Sequence, residues 1–470
     1  MRRLTRREFL ALGLGGFALA TGGFFLSDPL FAPAGRASSR HLPVRASSPI
    51  LILAPHPDDE VLGSGGFWHG MLRGGADVHV LVVTSGDGFP ADAERVFLTP
   101  DPTPRDYLTL GQERMQESRT AVASLGLDAS RIQFLGFPDS GTDHLFLSNW
   151  HEPYRSRFTL RTADPYPGTL HPGIAYSGEN EFQAIYDAIR TIRPAILVLP
   201  HPNDVHPDHW ATAAFADAAI ERLRQEGHAF VQEMACLRYL VHWGDWPLPF
   251  GYHPGMNLLP PWEFAHVGTS WYREPLGEGT VRAKFAAIRL YRSQMAIMPD
   301  RLVAFARRNE LFGLVPSHLV GPWQGSWPRV APDIEDPQAT LFADLFGARS
   351  LVRDVRMAQD RGRLLVRVAL RDAPSRSLVL RNYFMAFSPG FEQHYMRVRI
   401  DVGPDISPAL RYPAGLLRDP GLESRFSGRV VEFSLPLHAL QGARDLLYGI
   451  VLFHGERRAG KTAFRVMRLV

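Results

Sequence analysis

The chain has almost no cysteine. Cys236 is the only one in 470 residues, which excludes an internal disulfide and a thiolate metal cluster. Any metal must therefore be held by histidine and carboxylate. Lysine is nearly missing as well, with only Lys284 and Lys461, and we read this as genome bias. Net charge disappears once the leader is set aside. The whole chain carries 51 basic and 48 acidic side chains; residues 1–36 hold five arginines (Arg2, Arg3, Arg6, Arg7, Arg36) against Glu8 and Asp28, which leaves 46 of each sign. A balanced surface offers no electrostatic footprint for nucleic acid and no general attraction to acidic lipid. After Leu26 no apolar run is long enough to span a bilayer. No Gly-x-Gly-x-x-Gly follows the first expected strand, which argues against dinucleotide redox chemistry; Gly63-Ser64-Gly65-Gly66 sits in a helix start instead. Disorder is excluded as the main theme by 45% hydrophobic and 21% charged residues. The length implies two or three folded units.

The first residues read as an address. MRRLTRREFL precedes a glycine-spaced apolar run from Ala11 to Leu26, the layout of a bacterial export signal. Thr5-Arg6-Arg7-Glu8-Phe9-Leu10 resembles a twin-arginine signal, a route for proteins already folded. Residues 1–36 are therefore expected to be a signal peptide, with small-residue cut sites at Ala32-Pro33-Ala34 or Ala18-Leu19-Ala20. The alternative is an uncleaved anchor. Either way the mature protein is expected beyond the bacterial cytoplasmic membrane: periplasmic, at the cell surface or secreted.

The remainder divides in two. Residues 49–320 alternate short apolar runs with amphipathic stretches. Strands are predicted at Ile50–Ala54, Val78–Thr84, Arg131–Phe137, Ala195–Leu199 and Leu237–His242, and helices at Glu60–Arg73, Gln112–Leu125, Glu181–Ile192 and Pro207–Arg224. This is an α/β pattern: a Rossmann-like, mainly parallel sheet with helices on both faces. Residues 337–470 change to alternating runs such as Leu364–Val368, Tyr395–Asp401, Val430–Leu435 and Leu447–Phe453, which predict an antiparallel β-sandwich. The Pro-, Gly- and Trp-rich stretch 321–336 is the expected junction. No residue of catalytic type stands out in the β part, so its removal after Pro332 is expected to spare hydrolysis of short substrates.

In an open α/β sheet, loops at the carboxyl ends of strands converge on the ligand crevice. Two such loops are rich in metal donors: Ala54-Pro55-His56-Pro57-Asp58-Asp59-Glu60 and His201-Pro202-Asn203-Asp204-Val205-His206-Pro207-Asp208-His209. Imidazole and carboxylate suit zinc, and three protein ligands with one open position is the catalytic arrangement; His56, Asp59 and His209 can make that set. The competing reading is local. Asp58 and Asp59 suit a helix N-terminus, and His206 and His209 can be residues that merely open a helix. Both loops occurring after strands favours the metal site.

The pairing of His-Pro-Asp-Asp-Glu with a downstream His-Pro-Asp-His resembles the PIG-L/LmbE-like family of zinc-dependent de-N-acetylases. The resemblance extends to Thr84-Ser85-Gly86-Asp87, to Gln112–Gly126 with Arg114 and Glu117, and to Gly136-Phe137-Pro138-Asp139, covering roughly Pro49 to Phe312. It implies Zn²⁺ on His56, Asp59 and His209, Asp58 as the base, and His206 facing the reaction centre. It also implies Arg114 and Asp139 as substrate contacts, where the plain alternative for Arg114 is a surface pair with Glu117. Asp204 is expected to orient His206, and Glu60 and Thr84 to support the loop. The stretch 139–180 departs from the pattern as an insertion whose aromatics, Trp150, Tyr154, Tyr166 and Tyr176, are expected to be packing rather than a sugar platform.

The chemistry expected is amide hydrolysis. Zinc lowers the pKa of its water from about 15.7 towards 7, Asp58 takes the proton, and zinc with a protonated His206 stabilises the oxyanion. Either Asp58 or His206 then protonates the leaving amine. The expected substrate is an N-acetylated amino sugar in a glycan or cell-surface polymer, releasing acetate. The alternatives are an amidase for a non-sugar conjugate and a metal-containing surface protein that binds glycan without turnover.

Overall fold

The computed structural model describes residues 48–337, 351–412, 415–417 and 421–470; the expected signal peptide lies outside them. Among the described residues no helix is long and apolar enough to cross a membrane. The first sheet contains β1 (Pro49–Ala54), β2 (Asp77–Thr84), β3 (Ile132–Phe137), β4 (Ile196–Pro200), β5 (Ala235–Tyr239), β6 (Ser270–Pro275) and β7 (Asn309–Leu314), in the order β3-β2-β1-β4-β5-β7-β6. The first five are parallel, and β7 and β6 close the edge antiparallel. In β1, Ile50, Ile52 and Ala54 enter the core on one face while Leu51 and Leu53 enter that on the other. Burial on both sides is why these strands read as unbroken apolar runs.

Helices cover both faces: α1 (Asp59–Leu62), α2 (Gly65–Arg73), α3 (Pro90–Val96), α4 (Pro104–Ser124), α5 (Thr142–Leu147), α6 (Gly178–Ile192), α7 (Pro207–Gln225), α8 (Phe230–Glu233) and α9 (Glu278–Ile288). The single helix expected over Glu60–Arg73 is two. At Gly63 the chain passes so close to Tyr239 that a Cβ would lie 2.5 Å from its ring, and Ser64 is non-helical with φ −156°. Helix α4 starts earlier than expected because Thr103 and Asp106 form a reciprocal cap, with Pro104 opening the first turn. Strand order reverses at β1, which has β2 on one side and β4 on the other. The crevice outside their carboxyl ends is therefore the switch point of the sheet, and both donor-rich loops open into it.

The β part packs two sheets. The smaller orders β16 (Glu423–Ser427), β17 (Val430–Pro436), β11 (Arg363–Leu370), β10 (Val352–Asp360) and β9 (Ile334–Glu335). The larger orders β15 (Gly415–Leu417), β14 (Ile406–Tyr412), β13 (Tyr395–Gly403), β12 (Leu378–Phe387), β18 (Asp445–His454), β20 (Arg465–Leu469) and β8 (His318–Val320), with β19 (Arg457–Lys461) beside β18. Pairing is antiparallel apart from β8 with β20.

One face of the larger sheet, with Leu380, Phe384 and Ile450, meets the smaller sheet. The other face, with Tyr383, Met385, Phe387 and Val451, joins Phe146, Trp150, Trp210 and Phe215 of the α/β part in a single apolar core. A β part that shares a core cannot be removed without exposing that core, which argues against the expectation that hydrolysis of short substrates survives its removal. Of the insertion's aromatics, Trp150, Tyr166 and Tyr176 are buried, and Tyr154 stacks on His144 with ring centroids 5.2 Å apart, so they pack as expected.

Candidate active site

The loop after β1 turns sharply at Asp58, whose φ of 151° and ψ of −30° fall where L residues rarely go, at a cost of about 1–3 kcal/mol. Glu60 secures the turn by accepting from the Asp58 N–H at 3.0 Å. Glu60 is itself held by the hydroxyls of Ser118 and Tyr291, the latter at 2.8 Å. Asp58 is the N-cap of α1 but makes no side-chain cap bond to it. Its carboxylate lies instead 3.5 Å from Arg114 Nη2.

Three donor atoms from two loops meet beside it. His56 Nδ1 is 3.1 Å from Asp59 Oδ2 and 3.2 Å from His209 Nε2, and the last two are 3.0 Å apart. Each imidazole is backed by a carboxylate on its far side. His56 Nε2 donates to Asp208 Oδ2 at 3.1 Å, and Asp208 is fixed by Ser140 N at 2.6 Å, Thr142 N at 3.1 Å and Thr142 Oγ1 at 2.8 Å. His209 Nδ1 lies 3.1 Å from Asp204 Oδ2, a charge contact rather than an aligned hydrogen bond. Asp204 also accepts from the backbone of Val241 and His242 at 3.1 and 3.0 Å. It takes only the backbone N–H of His206, at 2.9 Å. The expectation that it orients the His206 ring is corrected: its carboxylate faces His209.

His206 is the N-cap of α7, its Nδ1 accepting from Asp208 N at 3.3 Å. Burial, together with the positive charge of His56, pushes its pKa down to about 4. Because Nδ1 accepts from the backbone, the ring proton falls on Nε2, and the lowered pKa disfavours the expected protonated form. Arg114, 4% exposed, does not pair with Glu117, which accepts from Ser293 N and Oγ at 2.9 and 2.7 Å. Arg114 instead donates to Gly86 O at 3.0 Å and Pro57 O at 3.3 Å and lies 3.8 Å from Asp139 Oδ2. It is buried against the carboxylates of Asp58 and Asp139. Asp139 accepts from Gly88 N at 3.1 Å and approaches His56 Nε2 at 3.6 Å.

The electrostatics follow from so many carboxylates under cover. Burial opposes protonation of His56, but Asp139, Asp208 and Asp59 outweigh it and hold the imidazole well above its usual range. Burial likewise opposes charge on His209, yet Asp204 and Asp59 bring it to about 9. Burial works to raise Asp59, and His209 and His56 hold it well below the usual carboxylate range. Asp58 differs: burial pushes it up to about 8 against the pull of Arg114.

The cluster thus demands positive charge between Asp59 and the two imidazoles. Tetrahedral ligands about 2.05 Å from a zinc ion would lie about 3.3 Å apart, close to the separations seen, so the residues fit a divalent cation. His242 was missed from the sequence. Its ring offers a fourth nitrogen, all four donor atoms lying within 4.8 Å of one another. The signal was its position at the carboxyl end of the fifth predicted strand. Asp208 was quoted in the motif without a role. His201 takes no part; it stacks on Trp271 with ring centroids 5.5 Å apart and meets Thr269 Oγ1 at 3.1 Å.

Known proteins resemble the chain over the residues that carry this site. Residues 51–220 match the PIG-L family model, described as GlcNAc-PI de-N-acetylase. A 1D-myo-inositol 2-acetamido-2-deoxy-alpha-D-glucopyranoside deacetylase from Rhodococcus opacus is 32% identical over 295 residues, 58% of this chain and 90% of that protein. The enzyme of the same name from Saccharomonospora viridis is 28% identical over 288 residues, 57% of this chain and 92% of its own. The solved N,N'-diacetylchitobiose deacetylase from Pyrococcus horikoshii aligns over 57% of this chain and 84% of its own, with 16% identity and a TM-score of 0.35, an overlap that bears no weight on function. Likeness at 32% identity across nine-tenths of a relative makes the chain a member of the PIG-L family and an amide hydrolase of the de-N-acetylase kind.

Proposed function

We propose that the chain uses zinc to remove the acetyl group from an N-acetylated amino sugar, in a glycan or cell-surface polymer, outside the bacterial cytoplasmic membrane. The observation that carries this reading is a strained, buried Asp58 beside three donor atoms 3.0–3.2 Å apart yet not one of them. The relatives, named for a 2-acetamido-2-deoxy-glucopyranoside, support the amino sugar. Export rests on the sequence of residues 1–36.

Zn²⁺ would be held by His56 Nδ1, Asp59 Oδ2 and His209 Nε2 and would supply Lewis acidity, acidifying water from a pKa of about 15.7 towards 7 and polarising the amide carbonyl. Asp58 receives the proton of the attacking water, and its pKa of about 8 suits a group that takes and returns a proton near neutrality. His206 presents its Nε2–H to the developing oxyanion. Because its Nδ1 is committed to the α7 cap, it has no spare proton, and Asp58 returns the one it took to the amine nitrogen as the C–N bond breaks. The products are acetate and a free amine. Arg114, 3.5 Å from Asp58, fixes the orientation of that carboxylate, and Asp139 holds Arg114 and His56 in turn.

Incubation of the purified protein with N-acetylglucosamine oligomers should release acetate and amine in equal amounts, a chelator should stop it, and Zn²⁺ should restore it. Release from non-sugar acetamides alone would make it an amidase of another class. For export, joint replacement of Arg6 and Arg7 by Lys should trap folded precursor inside the cell, and normal delivery on fractionation would contradict the twin-arginine reading.

A further inference from the structure

A second cleft lies between the α/β and β parts, with a volume of about 350 Å³. Its walls include Phe146, Ser148, Trp150, Arg397, Arg399 and Arg411. Strand register explains the three arginines. Arg397 lies opposite Met385 and Arg399 opposite Tyr383, while Arg411 on β14 lies opposite Arg399. All therefore project from the sheet face that turns towards the α/β part, where Tyr383 and Met385 are buried.

The charges there do not balance. Arg399 meets Asp401 through both oxygens, Nη2 donating to Oδ2 at 3.1 Å and Nε lying 3.0 Å from Oδ1, and Arg411 Nε also donates to Oδ2 at 3.2 Å. Arg397 has no carboxylate partner among the described residues. Its guanidinium lies 3.9 Å above the Trp150 ring and 5.5 Å from that of Phe146, and it donates to the Phe146 carbonyl. Three guanidinium groups thus share a single carboxylate, with Glu152 exposed at the rim. Stacking on Trp150 and the Phe146 carbonyl stabilise the Arg397 guanidinium in part, but neither neutralises its charge, and an anion in the cleft would. The planar guanidinium fork matches carboxylate or phosphate, and the volume is at the small end of ligand pockets, about 300–1,000 Å³.

We propose that this cleft is an accessory binding site for a sugar-sized anion, its carboxylate or phosphate held by Arg397 with Arg411. The site is distinct from the amide-cleaving crevice but linked to it by α5. Thr142 at the start of that helix holds Asp208, and Phe146 and Leu147 at its end line the cleft, about 6–7.5 Å away along the axis. A polymer carrying both acetamido and acidic groups could engage both, the second contact raising effective concentration at the first.

The test is calorimetric titration of the full chain with glucuronate, glucose 6-phosphate, inorganic phosphate and neutral glucose. At least one charged sugar should bind below about 10 mM, and Arg397→Gln should weaken it by about tenfold or more. Arg411, nearly half exposed, can be replaced without disturbing the fold, and Arg411→Gln should weaken binding by about threefold. The two charged sugars separate carboxylate from phosphate as the preferred group. Binding should persist in His209→Ala, so failure of the metal-site reading would not remove it. No binding of either charged sugar, equal binding of the neutral sugar, inorganic phosphate binding as tightly as the sugars, or affinities unchanged in both arginine variants would overturn the proposal.

Discussion

The two parts of the molecule bury charge in opposite ways. In the α/β part His56, Asp58, Asp59, Asp139, Asp204, Asp208 and His209 are all buried and converge on one crevice. Inside the β-sandwich the core is apolar, relieved chiefly by the Tyr448 hydroxyl donating to Asn382 at 2.8 Å. Several of its charges stand on the seam. Arg465 Nη2 donates to Asn203 Oδ1 at 2.6 Å, and Asn203 Nδ2 to Asp336 Oδ1 at 3.2 Å, which also accepts from Ala463 N at 3.3 Å. Arg458 pairs with Asp143, and Arg468 forks onto Glu221 at 2.8 and 2.9 Å. Asn203 immediately precedes Asp204, the carboxylate behind His209. The first part holds the chemistry, and the second holds the loop that carries half of it.

The harshest way to break this comparison is to cut the chain after Pro332. Loss of the shared core should leave aggregated or zinc-free protein with no acetate release, read from soluble yield and metal content. A soluble, active fragment would show that the parts are independent. Next is His209→Ala, which should remove the one zinc per chain and lower turnover by about 10³-fold or more; unchanged zinc by metal analysis would remove this ligand assignment. Phe464 stacks on Trp210 at 5.6 Å, and Phe464→Ala should cost about 3–5 kcal/mol. Denaturant unfolding should keep one transition for both parts, whereas a split curve would separate them. The smallest effect belongs to the seam. Asn203→Ala or Arg465→Met should weaken zinc binding by about tenfold and cost about 1–3 kcal/mol of stability, and wild-type zinc affinity in both would deny the bracing role.

What was legible in the sequence followed from strand ends. The carboxyl-end rule pointed to both donor loops because β1 and β4 are neighbours at the switch point, and it would have found His242 had it been applied to β5. The early start of α4 was also readable, since Thr103-Pro104-Arg105-Asp106 is a capping sequence. The break between α1 and α2 was not, because it depends on Tyr239, far along the chain. Nor was the lowered pKa of His206, which depends on its burial and on the charge of His56. The two-sided burial of β12 left a trace: Tyr383-Phe384-Met385-Ala386-Phe387 is apolar on both faces, which a sheet open to water on one side would not be.

The account rests on Asp58 being the base beside the metal and not one of its ligands. Asp58→Asn keeps the size of the side chain and removes its ability to accept the proton. Zinc content and acetate release should be measured on the same preparation of this variant. The account predicts zinc at the wild-type level with turnover lowered by about 10²–10⁴-fold. Full zinc with wild-type turnover, or loss of zinc together with turnover, would contradict it.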